Sequence, residues 1–213
     1  MKRATTWTIP RMWDGRTVAI LCSGESMTQE AANQVRAARL PAIAINTTFR
    51  LAPWADILYG ADAAWWHQTP DARSFAGLRV SMEPVDGVLQ VGRVGRVGFG
   101  DHPDGLYTLC NSGAQALQIA VKAGAARILL LGMDMTGGHW HGPHAAPLRD
   151  THEDMYPVWC DLLTQYAQAL CARGGPEIVN CSPVSRLMCW PRMSLEDALA
   201  RAELPVERAE LPG

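Results

Sequence analysis

NSGAQALQIAVKAGAARILLLGMDMTGGHWHGPH, residues 111–144, is the stretch whose reading decides the fold. Asn111, Ser112 and Gly113 form a small polar turn that opens a helix, and Gly124 ends it. Arg127–Leu131 follows as a short apolar run bounded by turn residues, the pattern of a buried strand. The run ends in Gly132, Asp134 and a loop rich in glycine and histidine. Open α/β sheets bind ligands in the crevice beyond the carboxyl ends of their strands. A helix N-terminus offers unpaired N–H groups to an anion. Both features fall in one short segment, so a phosphate-bearing ligand and the groups that act on it can meet there.

The same arrangement recurs towards the N-terminus. Thr17–Cys22 reads as a strand, Ser23-Gly24-Glu25-Ser26 as a turn, and Thr28–Leu40 as a helix. A glycine in such a turn lets backbone approach a ligand closely. The turn is neither GxGxxG nor a Walker loop, and an ordinary βα turn with a Ser or Thr cap is the plainer alternative. Ala42–Ile45 stops at Asn46-Thr47-Thr48. Ile57–Tyr59 stops at Gly60-Ala61-Asp62, followed by Ala63–Gln68 with Trp65, Trp66 and His67. Four strand ends thus carry small or polar residues, in a β-α-β-α rhythm. The expected fold is α/β: a single Rossmann-like domain over residues 1–213, with a mostly parallel sheet flanked by helices. Its core covers about 17–183, and a C-terminal helix and tail cover 194–213.

Composition narrows the function classes. The chain has 213 residues and a formal net charge of -2, with no basic run, so no nucleic-acid groove is expected. The longest apolar run is far short of the roughly 20 residues that span a bilayer. No apolar segment follows the N-terminal charges, so neither a signal peptide nor a membrane partner is expected. A cytoplasmic location follows. Six cysteines, Cys22, Cys110, Cys160, Cys171, Cys181 and Cys189, lack CxxC spacing and fit mostly buried, reduced thiols.

The middle and C-terminal parts are less regular. Leu78–Met82 and Val88–Val91 read as short strands. VGRVGRVGFGDHPDG reads as a flexible loop or thin β-hairpin. Its Arg93 and Arg96 either close over a phosphate or lie in solvent. Pro157 suits the first turn of a helix running to Ala172, with Trp159, Leu162, Leu163, Tyr166 and Leu170 as its buried stripe. Gly174 and Gly175 end it, and Ile178–Cys181 is the next strand. Ser194 and Asp197 form the capping pattern of a last helix, Leu195–Leu204, and the tail from Pro205 is expected to fray.

His139, His141 and His144 form H-x-H-x2-H within the Gly/Pro loop. One of them can serve as a general acid or base, since imidazole titrates near neutrality. All three can bind zinc. Otherwise they lie in solvent or contact substrate. The loop offers no helix or strand of its own to set their geometry.

The strand followed by G-x-S, the strand ending in Asn46, the helix opened by Ser112-Gly113 and the L-x-G-x-D strand end at Asp134 together resemble one family. It is the Rossmann-like superfamily of MptE-like proteins, which includes 6-hydroxymethylpterin diphosphokinases, motility accessory factors and family 42 sialyltransferases. Short members occur in phage genomes, and a phage-encoded chain would work in the host cytoplasm. The likeness covers roughly residues 17–183. It implies nucleotide-binding positions at Ser23, Gly24, Ser26, Asn46, Asp62, Ser112 and Gly113, with Asn46 and Asp62 on ribose or base. It implies a catalytic group of Asp134 and a histidine among His139, His141 and His144. Where the family's first loop reads G-x-G-P-S, this chain has Ser23-Gly24-Glu25-Ser26, with a carboxylate beside the phosphate positions. The implied function is a nucleotide-dependent transferase of the sialyltransferase type, with a nucleotide-sugar donor, a small-molecule or glycan acceptor and no resident metal. One alternative is a diphosphokinase using ATP and Mg²⁺, the metal held by Asp62 and Asp134. Another is a non-catalytic nucleotide-binding phage accessory protein. The oligomeric state stays open.

Overall fold

The computed structural model describes residues 5–103 and 105–202. In chain order its elements are β1 (Thr5–Thr6), β2 (Thr17–Leu21), α1 (Gln29–Ala37), β3 (Ala42–Ile45), β4 (Ile57–Tyr59) and α2 (Ala63–Gln68). Next come β5 (Leu78–Ser81), β6 (Leu89–Gln90), β7 (Arg93–Gly95), β8 (Leu106–Tyr107), α3 (Ser112–Lys122) and β9 (Arg127–Leu131). The chain closes with α4 (Met155–Cys171), β10 (Glu177–Asn180) and α5 (Leu195–Ala202).

Eight strands make one sheet in the order β1-β6-β5-β4-β3-β2-β9-β10, with every neighbouring pair parallel. Parallel strands are buried on both faces and therefore read as continuous apolar runs. TVAIL, AIAI and RILLL are such runs, and every residue in them is buried. Alternation still sorts the side chains. Val18, Ile20, Ile128 and Leu130 pack under α3 and α4. Ala19, Leu21, Leu129 and Leu131 pack under α1, α2 and α5. The fold is the expected Rossmann-like α/β domain with helices on both faces. No helix of the described residues is long and apolar enough to cross a membrane.

Strand order reverses between β2 and β9. From β2 the chain builds outward through β3, β4, β5 and β6, then returns to place β9 and β10 on the other side. That reversal opens a crevice at the carboxyl ends of β2 and β9.

Several local expectations are adjusted by packing. The glycine repeat forms no hairpin, because β7 and β8 pair in parallel. The chain after β7 loops out and returns in the same direction, docking the fully buried Leu106 into the core. Gly105 permits this, since a Cβ there would lie 2.1 Å from the Gly92 carbonyl oxygen. Gln118 then clamps β8, donating to the Tyr107 carbonyl and accepting from its N–H, both at 2.9 Å. On α4 the buried positions are Tyr156, Leu163, Tyr166 and Leu170, while Trp159 and Leu162 are only half-buried. Trp65 and Trp66 belong to the core. All six cysteines are free; Cys22 and Cys181 are buried and Cys171 is exposed. Ser194 accepts from the Asp197 N–H and donates to its carboxylate, the anticipated cap. The last two residues expected in α5 and the tail from Pro205 lie outside the described residues.

Candidate functional site

A cavity of about 330 Å³ lies at the carboxyl ends of β2, β3, β4 and β9, against the N-terminus of α3. Its walls include Ser23, Gly24, Asn46, Asp62, Ser112 and Gly113, and also Asp134, His139 and His144. The size suits the lower end of small-molecule sites, roughly 300 Å³ and upward. Of the nucleotide-binding and catalytic residues expected from sequence, Ser26 and His141 are not on its wall.

One group of these residues forms the frame. The Gly24 N–H donates to the Gly132 carbonyl at 2.8 Å. The Ser26 N–H donates to one oxygen of Asp134 at 2.8 Å, and the Ser26 hydroxyl donates to the other. Asp134 is therefore a buried strut between the first loop and the end of β9. A Cβ on Gly24 would lie 2.5 Å from Gly132 O and 2.6 Å from an Asp134 oxygen. This glycine is thus required by two strand ends meeting, whatever the ligand. The Ser23 hydroxyl is also committed, donating to Ile45 O at 3.1 Å beside Thr48. Glu25 leans over Gly138.

A second group is uncommitted. Among the described residues the side chains of Asn46, Asp62 and Ser112 make no hydrogen bond to protein. Asp62 stands at the N-cap of α2, yet Glu83 takes the capping role, accepting from the Ala63 N–H at 2.9 Å. Burial, then Glu83, raises the Asp62 pKa, so its carboxyl holds a proton more readily than a solvated one. Asn111 caps α3 by accepting from the Ala114 N–H at 2.9 Å. The N–H groups of Ser112 and Gly113 precede the first intrahelical bonds. Asn46 has φ 47° and Met135 φ 56°, left-handed conformations at two strand ends on the cavity wall. Strained backbone of this kind concentrates at functional sites.

The histidine loop, expected to lack an anchor, is tied to β2 and β3. The Ser23 carbonyl accepts from the Trp140 N–H at 3.1 Å and lies 3.3 Å from His139 Nδ1. The Trp140 indole donates to Thr48 Oγ1 at 3.1 Å, and Thr48 donates to Cys22 O at 3.2 Å. These contacts bring the three imidazoles together. Ring centroids are 5.1 Å apart for His139–His141, 4.6 Å for His139–His144 and 5.3 Å for His141–His144. With Nδ1 donating to Ser23 O, His139 carries its lone pair on Nε2. That atom is 3.6 Å from an oxygen of Asp150.

Burial, then His139 and His144, pushes His141 down to about 4. Burial and His139 also lower His144. Free imidazole titrates near 6.5. The unfolded chain therefore takes up protons first as pH falls. Stability from these neutral rings is full above about pH 6.5 and is lost towards about pH 4. For metal-free protein, Tm should drop between about pH 7 and pH 4.5, and His141→Gln should flatten that drop. Parallel melting curves for the two proteins across this range would place the acid sensitivity elsewhere.

The cavity also contains residues not singled out from sequence. Gln115, on the buried face of α3, accepts from the Tyr59 hydroxyl at 2.8 Å and donates to Thr108 O at 2.9 Å. Only the sidedness of α3 could have revealed it, and α3 is buried from Gly113 to Ala120. Arg149 and Tyr156 arrive from the segment after the histidines. Arg93 and Arg96, considered for phosphate contact, are not on the wall; Arg93 is 3.9 Å from Glu83. Burial and Asp134 raise the Cys22 thiol far above its ordinary range, which removes it as a nucleophile.

Neither a protein-family model nor a curated protein sequence matches the chain. Among solved structures it is similar to a MAf glycosyltransferase from Magnetospirillum magneticum AMB-1. The TM-score is 0.65 and the identity 14%, over 92% of this chain and 36% of the neighbour. The shared feature is the fold, and this chain spans about a third of the neighbour's length.

Proposed function

We propose that the chain is a glycosyltransferase of the sialyltransferase type, using a nucleotide-sugar donor and a hydroxyl-bearing small molecule or glycan as acceptor. The observation that carries this reading is the division of the site. Ser26, Gly24 and Asp134 are consumed in building a rigid rim, while Asn46, Asp62 and Ser112 present unpaired polar groups to one cavity that His139 and His144 also line. The likeness in fold to a MAf glycosyltransferase points the same way.

The donor phosphate sits at the start of α3, on the N–H groups of Ser112 and Gly113, with Arg149 at the rim. Asn46 and Asp62 bind the ribose or base. His139 Nε2 accepts the proton of the acceptor hydroxyl as its oxygen bonds to the sugar's anomeric carbon. The bond from that carbon to phosphate breaks, and the nucleotide leaves with the electron pair. A diphosphokinase using Mg²⁺ on Asp62 and Asp134 is less well supported, because both oxygens of Asp134 already accept from Ser26.

A thermal-shift panel of CMP-, UDP-, GDP- and ADP-type ligands, with and without Mg²⁺, tests the donor site, since a ligand specific to the folded state raises Tm. One nucleotide class should stabilise the protein, and its sugar conjugate should be consumed when acceptors are supplied. Binding without turnover of any donor would make the chain an accessory protein. No shift with any nucleotide would remove the reading altogether. Asn46→Ala and Ser112→Ala should each weaken the binding nucleotide by about 0.5–1.5 kcal/mol, the usual worth of one hydrogen bond. Calorimetry finding both variants within about twofold of the parent would exclude these two contacts.

A further inference from the structure

We infer that His139, His141 and His144 form a binding site for one borderline transition-metal cation, of the Zn²⁺ or Co²⁺ kind. Each histidine offers one ring nitrogen, and the three donor atoms lie within 4.8 Å of one another. A tetrahedral zinc with bonds of about 2.0–2.1 Å needs its nitrogens roughly 3.3 Å apart, so small side-chain rotations complete the set. Three imidazoles with a fourth position open to water is a known donor set for this metal class.

Two further observations point to a ligand. His141 Nε2 is buried and has no hydrogen-bond partner among the described residues. Such an orphaned atom is costly to leave unmade, and a metal satisfies it without a proton. His139 is supported from behind as metal-binding histidines are, with Nδ1 held at the Ser23 carbonyl and Nε2 left to coordinate. Asp150 adds negative charge beside the cluster, with an oxygen 3.6 Å from His139 Nε2, and fixes the loop by accepting from the His144 N–H at 3.1 Å. The Trp140 tether to Thr48 keeps the whole turn in place.

This site does not depend on the transferase reading, since metal is measured directly. The two are linked at one atom. A lone pair given to a metal cannot accept a proton, so the metal-loaded chain loses the free imidazole that the proposed transfer uses.

The test is equilibrium dialysis of chelator-treated protein against Zn²⁺, followed by elemental analysis, with Co²⁺ absorption as a reporter of coordination. About one metal per chain is expected, with the intense visible bands of four-coordinate Co²⁺ and a rise in Tm. His139→Ala, His141→Ala and His144→Ala should each weaken binding by at least tenfold. His67→Ala, on the exposed side of α2, should bind as the parent does. If a histidine variant fails to fold, Asp150→Asn serves in its place and should weaken affinity measurably. Substoichiometric metal, or unchanged affinity in the folded variants, overturns the site. Neither result touches the nucleotide assays, so the two readings fail separately.

Discussion

Turnover should fall by roughly 10²–10⁴-fold when His139 is replaced by Gln, with donor affinity nearly unchanged. Two structural relations lead to this. The Ser23 carbonyl sits 3.3 Å from Nδ1, and with Nδ1 donating there the lone pair is left on Nε2. The proposed donor-binding groups Asn46, Asp62 and Ser112 belong to other elements, at the ends of β3 and β4 and the start of α3. Gln can still donate to Ser23 O, so the variant separates loss of the base from loss of the loop. His144→Ala should reduce turnover less, because among the described residues no backbone hydrogen bond aligns its ring. Full activity of His139→Gln on an identified substrate pair would end the imidazole-base assignment.

Gly24→Val is expected to destabilise the folded protein as well as abolish nucleotide binding. The first Cβ added meets Gly132 O at 2.5 Å, which is backbone, and the Asp134 carboxylate at 2.6 Å, which Ser26 holds in place. Overpacking of this kind typically costs about 1–3 kcal/mol, sometimes more. Displacing the strut adds to that, because Asp134 loses the two Ser26 donors that satisfy its buried charge. From the sequence alone, a branched side chain here is expected to block the ligand and spare the fold. Packing overrides that expectation. Denaturant unfolding is the measurement, and a parent-like midpoint with parent-like m-value would show that the two strand ends can part without cost. Asp134→Asn should lower the midpoint through the same strut.

The strands of the central sheet were legible because parallel strands must be apolar on both faces, and no neighbouring segment competes with runs such as TVAIL and RILLL. The helix starts at Thr28, Asn111 and Ser194 were legible because a capping side chain bonds its own helix, within three residues. The β7–β8 pair was not, since parallel pairing depends on where the chain returns, and the glycines signal freedom without direction. Residues of the site divide in the same way. Their places at strand ends could be read one by one, but which were committed could not. Ser23, Ser26 and Asp134 have the same polar character as Asn46, Asp62 and Ser112, and only their partners distinguish them.

The sequence by itself determined the α/β class, the parallel sheet and the set of loops that gather at one end of it. These follow from local periodicity, turn chemistry and the rule that parallel strands are joined by crossovers. Tertiary structure alone decided that Asp134 is a strut, that Glu83 frees Asp62 by capping α2, and that Thr48 and Ser23 hold three histidines within reach of a single ion. Each of those facts is a contact between residues roughly 20 to more than 100 positions apart in the chain. Such contacts depend on how strand ends approach across the sheet, and a polar residue bears no local mark of whether its partner will be protein or ligand.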